Sequence, residues 1–172
     1  MGIDKALLEI DGTPLAVRAA SEARAVCDAV SIVGDPARHG SLGFPVLTDR
    51  YPGIGPLGGI EAALSATHSD WNLVVACDMP GVAQSLFRTL FDNCESDPAS
   101  DGAVPVGPEG RAEPLCAVYH RRCHAVILRA IEAGKYKVTD VLLLLALRYV
   151  EVADAHVFAN LNTPDEFRTY IR

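Results

Sequence analysis

The stretch that decides the fold is Leu73-Val74-Val75-Ala76-Cys77-Asp78-Met79-Pro80. A short apolar run bounded by turn residues predicts a strand that is buried on both faces, as in a parallel sheet. Asp78 then stands at the carboxyl end of that strand, which is the edge where open α/β sheets bind their ligands. A carboxylate at that edge is well placed to hold a divalent cation against a phosphate.

Asp78 also has a purely structural interpretation. Its carboxylate could cap the helix that is predicted to begin near Val82, or it could shape the turn at Met79-Pro80. The stretch taken alone does not decide between a ligand and a turn residue, so both interpretations stay open at this point.

Composition and charge limit the class of protein. The chain has 172 residues, of which 49% are hydrophobic, and this is enough for one domain with a sizeable core. The formal net charge is −7 and Arg121-Arg122 is only a pair, so a nucleic-acid surface is not expected. A single nucleotide is still compatible with this charge, because it needs only a few local positive groups.

The sequence predicts a cytoplasmic protein without a membrane span. No basic segment followed by an apolar core opens the chain, as a secretory signal would. The apolar run from Val141 to Leu147 is far shorter than the ~20 residues that cross a bilayer, and we expect it to be a buried helix. The five cysteines form no C-x-x-C pair, which suits a reducing compartment, and Cys77 and Cys116 are expected to be core residues.

Predicted strands and helices alternate through most of the chain. The expected strands are 29–33, 45–48, 73–77, 101–106, 115–120 and 149–152, and the expected helices are 14–27, 60–64, 82–94, 123–133, 138–147 and 164–171. Thr163, Pro164 and Glu166 form a capping box for the last helix. The alternation predicts a single doubly wound, Rossmann-like α/β domain over residues 1–172, with a mainly parallel sheet. The strands 103–106 and 115–120 are expected to add an antiparallel edge feature.

Three aspartates, Asp35, Asp49 and Asp78, each follow an apolar strand. Parallel strands bring such ends to one edge of a sheet, and the glycine-rich loop at 53–59 joins that edge. Carboxylates there could bind a hydroxyl pair, a base edge or Mg²⁺, and the glycine loop could approach an anion or a flat ring. Lys5 is the nearby cation for phosphates. The alternative is that each aspartate caps its own turn and that the glycines only pack.

The chemistry of this edge points to phosphorus. No Ser/His/Asp arrangement and no activated cysteine stands out in the sequence. The residues therefore favour Mg²⁺-assisted transfer at a phosphorus, in which the protein mainly positions groups and neutralises charge.

Five motifs resemble those of the molybdenum cofactor guanylyltransferases, and they follow one another in the family's order along the whole chain. The motifs are Met1-Gly2-Ile3-Asp4-Lys5-Ala6-Leu7-Leu8, Asp49-Arg50-Tyr51-Pro52 with Gly55-Pro56-Leu57-Gly58-Gly59, Ala76-Cys77-Asp78-Met79-Pro80, Glu113-Pro114-Leu115-Cys116-Ala117-Val118-Tyr119, and Asn160-Leu161-Asn162-Thr163-Pro164-Asp165-Glu166. Each motif is modest alone, but five in series are specific. The resemblance implies a nucleotide-diphospho-sugar transferase-like fold.

The resemblance also implies a reaction. GMP would pass from GTP to molybdenum-molybdopterin, giving the molybdopterin guanine dinucleotide cofactor and pyrophosphate, with in-line attack of the molybdopterin phosphate on the α-phosphorus. Lys5 would contact the nucleotide phosphates and Asp78 would bind Mg²⁺ beside the α-phosphate, so these two would be catalytic. The implied binding residues are Asp35 and Asp49 for the guanosine, Pro56, Leu57 and Gly58 for the base, and Asn160 and Asn162 for the pterin. Molybdoenzymes or other cofactor-biosynthesis proteins would be further partners.

The chain departs from the family at its N-terminus. Family members begin with a strand and a loop of the form Leu-Ala-Gly-Gly, followed after a few residues by Arg-Met-Gly, which wraps the triphosphate and the guanine. This chain begins at the internal Met-Gly of that motif, so about 15–20 residues are expected to be absent. We expect either a misplaced start codon or a truncated form that binds GTP poorly, and the codons upstream of Met1 would decide between them.

Two other functions stay open. One is a cytidylyl- or sugar-phosphate nucleotidyltransferase, although cytidylyltransferase relatives usually carry small residues where this chain has Pro56-Leu57, which favours guanine. The other is a non-catalytic domain that carries molybdopterin, because the absent loop would remove part of the nucleotide site.

Overall fold

The computed structural model of the protein describes residues 4–161, 166, 167 and 170. The strands are β1 Glu9–Ile10, β2 Thr13–Pro14, β3 Ile32–Val33, β4 Val46–Leu47, β5 Trp71–Val75, β6 Gly102–Val106, β7 Cys116–His120 and β8 Leu147–Glu151. The helices are α1 Leu15–Arg24, α2 Pro36–His39, α3 Pro56–Ala66, α4 Gln84–Glu95, α5 Cys123–Glu132 and α6 Val138–Leu142. Thr163 and Pro164 of the predicted capping box, and most of the last helix predicted from the sequence, lie outside the described residues.

The largest sheet has the strand order β5-β7-β6-β8. Strands β5, β6 and β8 run in one direction, and β7 runs against both of its neighbours. Strands β3 and β4 form a separate parallel pair, and β1 and β2 form a short hairpin. The predicted α/β fold with a mainly parallel arrangement of strands is confirmed.

Helices cover both faces of the large sheet, as in a doubly wound fold. Side chains alternate along β7, because successive residues of a strand point to opposite faces. Ala117 and Tyr119 pack into the core formed with α3 and α5, which contains Leu57 and Ile127. Cys116 and Val118 point to the other face, where they pack with side chains of α4, and α1 adds Ala23 to that side. The core therefore has two layers with the sheet between them.

The antiparallel strand lies inside the sheet and not at its edge, so this part of the sequence prediction is wrong. β7 pairs with β5, where Trp71 lies opposite His120, and with β6, where Gly102 lies opposite Tyr119. Four of the five residues of β7 are buried. Such an apolar strand gains more from two flanking strands and two helical layers than from an exposed edge position.

The predicted helix 138–147 is also wrong in its second half. Helix α6 ends at Leu142, and β8 already begins at Leu147. Asp101 holds the connection, because its N–H donates to Ala146 O at 2.7 Å and its Oδ2 accepts from Ala146 N at 2.9 Å. Leu143 is 81% exposed, so the apolar run is not a buried helix. Pairing of β8 with β6 outweighs the local apolar pattern. None of the described helices is long and apolar enough to cross a membrane.

Candidate active site

Lys5 and Asp78 meet beyond the carboxyl end of β5. The Nζ atom of Lys5 lies 2.9 Å from Asp78 Oδ2, and the two side chains are 31% and 20% exposed. The carbonyl oxygen of Asp78 accepts a hydrogen bond from Leu161 N at 2.9 Å, which places the segment around Asn160 beside this pair. The structure thus brings together the cation and the carboxylate that the sequence assigned to one site.

A short 3-10 turn, Lys5–Leu7, presents Lys5 to Asp78. Asp4 caps this turn, because its Oδ1 accepts from Ala6 N at 3.1 Å. Its Oδ2 lies 3.0 Å from His39 Nε2 and 3.2 Å from Arg38 Nη2. Partial burial alone would raise the pKa of Asp4, but the bonds from His39 and Ala6 and the positive charge of Arg38 bring it below its ordinary value of 3.8. Asp4 therefore remains a carboxylate at neutral pH.

Asp35 has a capping role. Its Oδ1 accepts from Ala37 N at 2.9 Å at the start of α2, and Pro36 occupies the first turn of that helix. Its own N–H donates to His39 Nδ1 at 3.1 Å. A chain of contacts thus runs from Asp35 through His39 and Asp4 to the turn that carries Lys5. The carboxylate of Asp35 lies at the exposed end of this chain.

Asp49 lies against the first turn of α3. Its Oδ1 accepts from Tyr51 N at 2.7 Å, and a Cβ atom added to Gly58 would lie only 2.8 Å from Asp49 Oδ1. Gly55 precedes the helix with a φ of +85°, a left-handed conformation that favours glycine. The glycine-rich loop is thus shaped around the Asp49 carboxylate.

The turn Pro56-Leu57-Gly58 offers its backbone and Pro56 to the surface. Pro56 is exposed, but the side chain of Leu57 is only 1% exposed and packs in the core beside Ile60. A ligand at this turn would therefore meet the proline ring and main-chain atoms, and not the leucine side chain.

Sequence reasoning missed a buried carboxylate, Glu61, whose side chain is fully buried on α3. It accepts hydrogen bonds from the guanidinium of Arg50, and His124 Nε2 lies 2.8 Å from its Oε1. The hydrogen bonds to Glu61 raise the pKa of Arg50. A glutamate inside the apolar run 60–64 was the signal that could have revealed it, because a buried charge requires partners. Glu61 fixes the segment next to Asp49 to α3 and α5.

Asn160 is half-buried, and its side-chain amide donates to Phe158 O at 3.3 Å. Asn162 lies outside the described residues. A cavity of about 320 Å³ lies between the loop that follows β5 and helix α1. Its lining includes Thr13, Arg18, Ser21, Cys77, Met79 and Val82. Space that could hold part of a ligand therefore lies next to the loop that carries Asp78, whose neighbours Cys77 and Met79 line it.

The cysteine next to Asp78 is not activated. Burial, together with the negative charge of Asp78, raises the pKa of Cys77 to about 11. The thiolate is the nucleophilic form of cysteine, so Cys77 remains an inert thiol at neutral pH. The site consequently offers charge and positioning but no thiolate nucleophile.

The side chains near Asp78 limit how a metal ion could bind. Within the described part of the chain, no three His, Cys, Asp or Glu side chains converge on one point. Mg²⁺ usually takes one or two protein carboxylates and completes its shell with water and substrate phosphates. Asp78 alone fits that pattern, and the cation of Lys5 stands beside it for the same phosphates.

Solved structures with the same architecture include nucleotidyltransferases. The CMP:2-keto-3-deoxy-manno-octonic acid synthetase complexed with CTP superimposes with a TM-score of 0.80 over 97% of this chain and 90% of its own, at 16% identity. At that identity the likeness establishes the fold. The molybdopterin-guanine dinucleotide biosynthesis protein A of Archaeoglobus fulgidus has a TM-score of 0.81 and 26% identity over 98% of this chain and 89% of its own.

Sequence comparisons lead to the family. Residues 1–151 match the MobA-like NTP transferase domain. The probable molybdenum cofactor guanylyltransferase of Pelotomaculum thermopropionicum is 37% identical over 96% of this chain and 83% of its own length. The molybdenum cofactor guanylyltransferase of Desulfosudis oleivorans is 32% identical over 96% of this chain and 84% of its own. The chain belongs to the MobA-like NTP transferase family of nucleotidyltransferase enzymes.

Proposed function

We propose that the protein transfers GMP from GTP to molybdenum-molybdopterin, forming the molybdopterin guanine dinucleotide cofactor and pyrophosphate. The observation that carries the proposal is the Lys5–Asp78 pair, 2.9 Å apart beyond β5, in a chain of this family. A cation beside a carboxylate is what phosphoryl chemistry needs, because the protein must position the phosphates and neutralise their charge.

Lys5 would contact the phosphates of GTP, and Asp78 would hold the Mg²⁺ that accompanies them. When bound, Mg²⁺ neutralises the charge that develops on the α-phosphate and on the leaving pyrophosphate. A terminal phosphate oxygen of molybdopterin forms the new bond to the α-phosphorus, while the bond from that phosphorus to the bridging oxygen breaks and pyrophosphate leaves.

The guanosine lies along Asp49, Asp35 and the Pro56-Leu57-Gly58 turn. Asp49 supports this placement because the turn leaves room for its carboxylate against Gly58. Leu57 contributes through its main chain, because its side chain is in the core. Asp35 already caps α2, so a ligand would use the oxygen that is not bonded to Ala37.

We place the acceptor, molybdopterin, on the side of Asp78 where Asn160 and Leu161 lie. Asn160 stands next to Leu161, which is bonded to Asp78, and Asn162 follows it in sequence. We assign both asparagines to the pterin side. Downstream molybdoenzymes or other cofactor-biosynthesis proteins would receive the product. That residues after 151 complete the same domain is part of this proposal.

The test is a GMP-transfer assay that measures pyrophosphate release from Mg²⁺-GTP in the presence of molybdenum-molybdopterin. Asp78→Asn and Lys5→Met should each lower kcat/KM about 100-fold or more. Each replaces a charged side chain that would stabilise the transition state, Lys5 through the phosphates and Asp78 through Mg²⁺. Asp97→Asn is the matched control, because Asp97 pairs with Arg148 on the exposed surface. Unchanged activity of Asp78→Asn would remove Asp78 from the mechanism.

Nucleotide choice is tested separately by thermal unfolding. A ligand that binds the folded state raises the melting temperature, so Mg²⁺-GTP should stabilise the protein and Mg²⁺-CTP should not. Stabilisation by CTP alone would replace the guanylyl assignment with a cytidylyl one. Absence of pyrophosphate release would support a non-catalytic carrier instead.

A further inference from the structure

His39 is a buried residue with both ring nitrogens engaged. The residue is 7% exposed. Its Nδ1 lies 3.1 Å from Asp35 N, and its Nε2 lies 3.0 Å from Asp4 Oδ2. A backbone N–H can only donate, so Nδ1 must accept and carries no proton. The neutral ring then has its proton on Nε2 and donates it to Asp4.

Asp4 passes this contact on to the turn that carries Lys5. Its Oδ2 accepts from His39, while its Oδ1 caps the 3-10 turn through Ala6 N. The Asp4 carboxylate therefore links the His39 imidazole to the 3-10 turn Lys5–Leu7. Lys5 is the first residue of that turn, and its Nζ reaches Asp78 Oδ2 at 2.9 Å.

The backbone around His39 leaves room for the ring. A Cβ atom added to Gly34 would lie 2.3 Å from His39 Nδ1, so any larger residue there would displace the imidazole. Arg38 also contacts Asp4, but its side chain is 56% exposed and approaches from the solvent side. His39 is thus the buried partner of Asp4, and Arg38 is the exposed one.

We propose that His39 is a positioning residue for the nucleotidyl transfer: it holds Asp4, and through Asp4 it places Lys5 at the phosphate site. The inference rests on the proposed function, because the task of Lys5 is to contact phosphates. His39 itself touches no substrate. Its contribution is to keep the Lys5 turn in one orientation, so that the cation is in place before the nucleotide binds.

Two near-isosteric variants separate the contacts of His39. His39→Gln keeps an amide N–H near the position of Nε2 and can still donate to Asp4. His39→Asn keeps an acceptor near the position of Nδ1 for Asp35 N but does not reach Asp4. We expect His39→Asn to lower kcat about 10- to 100-fold with little change in the KM for GTP, and His39→Gln to stay close to wild type. Arg38→Ala, which removes the exposed partner of Asp4, should change kcat by less than about threefold.

Melting temperatures of the two histidine variants control for folding, because both remove the ring from the same buried position. Equal kcat values for His39→Asn and His39→Gln would overturn the inference, since the donor to Asp4 would then not matter. A loss of kcat in His39→Asn that His39→Gln restores, at similar melting temperatures, supports it.

A readout without turnover separates this inference from the proposed function. In protein labelled with ¹³C at lysine Cε, the Lys5 signal is assigned by its loss in Lys5→Met. The signal should move in His39→Asn and stay in place in His39→Gln, because the first variant alone removes the buried donor to Asp4. A Lys5 signal that is the same in both variants overturns the positioning role even if GMP transfer is observed. A wild-type chain without GMP transfer would overturn the proposed function, while the Lys5 signal would still decide the positioning role.

Discussion

Three aspartates share one sequence context and have three different environments. Asp78 pairs with Lys5, Asp35 caps α2, and Asp49 closes a turn against α3. A sequence shows that a carboxylate follows a strand, but the partner is decided by residues distant along the chain, such as Lys5 for Asp78. The pattern therefore predicted carboxylates at the ends of strands, whereas the contacts of each carboxylate required the structure.

At the scale of a single atom, Gly58→Ala tests the place of Asp49. The new Cβ would lie 2.8 Å from Asp49 Oδ1, so the carboxylate must move and lose its 2.7 Å bond from Tyr51 N. Alanine favours the helix by about 1 kcal/mol, and the lost hydrogen bond costs about as much, so the free energy of unfolding should change little. The affinity for Mg²⁺-GTP, measured by calorimetry, should fall about tenfold.

Gly59→Ala is the matched control for that variant. Its Cβ would have only Val33 Cγ1 at 4.0 Å, so the protein should become about 0.5–1 kcal/mol more stable and bind GTP as before. If Gly58→Ala bound GTP as tightly as Gly59→Ala, Asp49 would not belong to the nucleotide site.

Thiol reactivity gives a second prediction at this scale. Burial raises the pKa of Cys77 and Cys94 to about 11 and that of Cys116 and Cys123 to about 12. At pH 8 the thiolate fraction of Cys77 is therefore about 10⁻³, and iodoacetamide should label it slowly in the folded protein. Peptide mass spectrometry should show rapid labelling of all five cysteines after unfolding in urea. Cys77 is half-buried, so labelling of Cys77 in the folded protein at the unfolded rate would contradict the raised pKa of its thiol.

Secondary-structure elements were predictable where local pattern and packing agree. Helix α4 has an apolar stripe with Phe87 and Leu90 fully buried, and it begins and ends within two residues of the predicted bounds. Helix α6 shows the opposite case, because its apolar sequence continues while the chain turns to pair with β6. Apolar periodicity cannot distinguish a buried helix from a turn held by a distant carboxylate.

Asp101 is that carboxylate. It connects the start of β6 to the residues that precede α5 and β8, so its charge should contribute to the stability of the fold. Its Oδ1 accepts from Arg122 Nε at 2.7 Å and its Oδ2 from Ala146 N at 2.9 Å. Burial would raise the pKa of Asp101, but the bonds from Ala146 and Arg122 bring it below 3.8. Asp101→Asn should lower the free energy of unfolding at pH 7 by about 1 kcal/mol, measured by urea unfolding.

The stability difference between wild type and Asp101→Asn should depend on pH in one direction. A carboxyl with a lowered pKa in the folded state stabilises the protein fully above its ordinary value of 3.8, and this contribution is lost as the pH falls through the lower folded-state value. The difference in free energy of unfolding between wild type and Asp101→Asn should therefore become smaller towards pH 3. Asp97→Asn, on an exposed ion pair, should change stability by less than about 0.5 kcal/mol. A gap that widens in acid would contradict the assignment.

For the whole molecule, the sequence predicted the class of fold but not the way its parts are joined. Alternating strands and helices were sufficient for a doubly wound architecture, and the two-layer core follows from it. The position of β7 inside the sheet was not predictable, because an apolar strand has the same pattern at the centre of a sheet as beside its edge. Helix α3 contacts β3, β4 and β5, so it joins the small parallel pair to the large sheet. The cooperativity of the fold should therefore depend on how α3 is anchored.

Glu61 is the buried anchor of α3, and its replacement tests that dependence. Glu61→Ala removes the shared partner of Arg50 and His124 and leaves a cavity, so the free energy of unfolding should fall by about 3 kcal/mol and the melting temperature by about 6–12 °C. His124→Ala is the milder comparison, because Arg50 still pairs with Glu61 and His124 is 28% exposed.

Trp71 on β5 is the single tryptophan, so its fluorescence reports the large sheet while circular dichroism reports the whole chain. If α3 couples the two sheets, both signals should shift together in Glu61→Ala and remain one transition. A Trp71 transition at the wild-type temperature, with only the circular dichroism signal shifted, would show that the large sheet is stable without the Glu61 anchor.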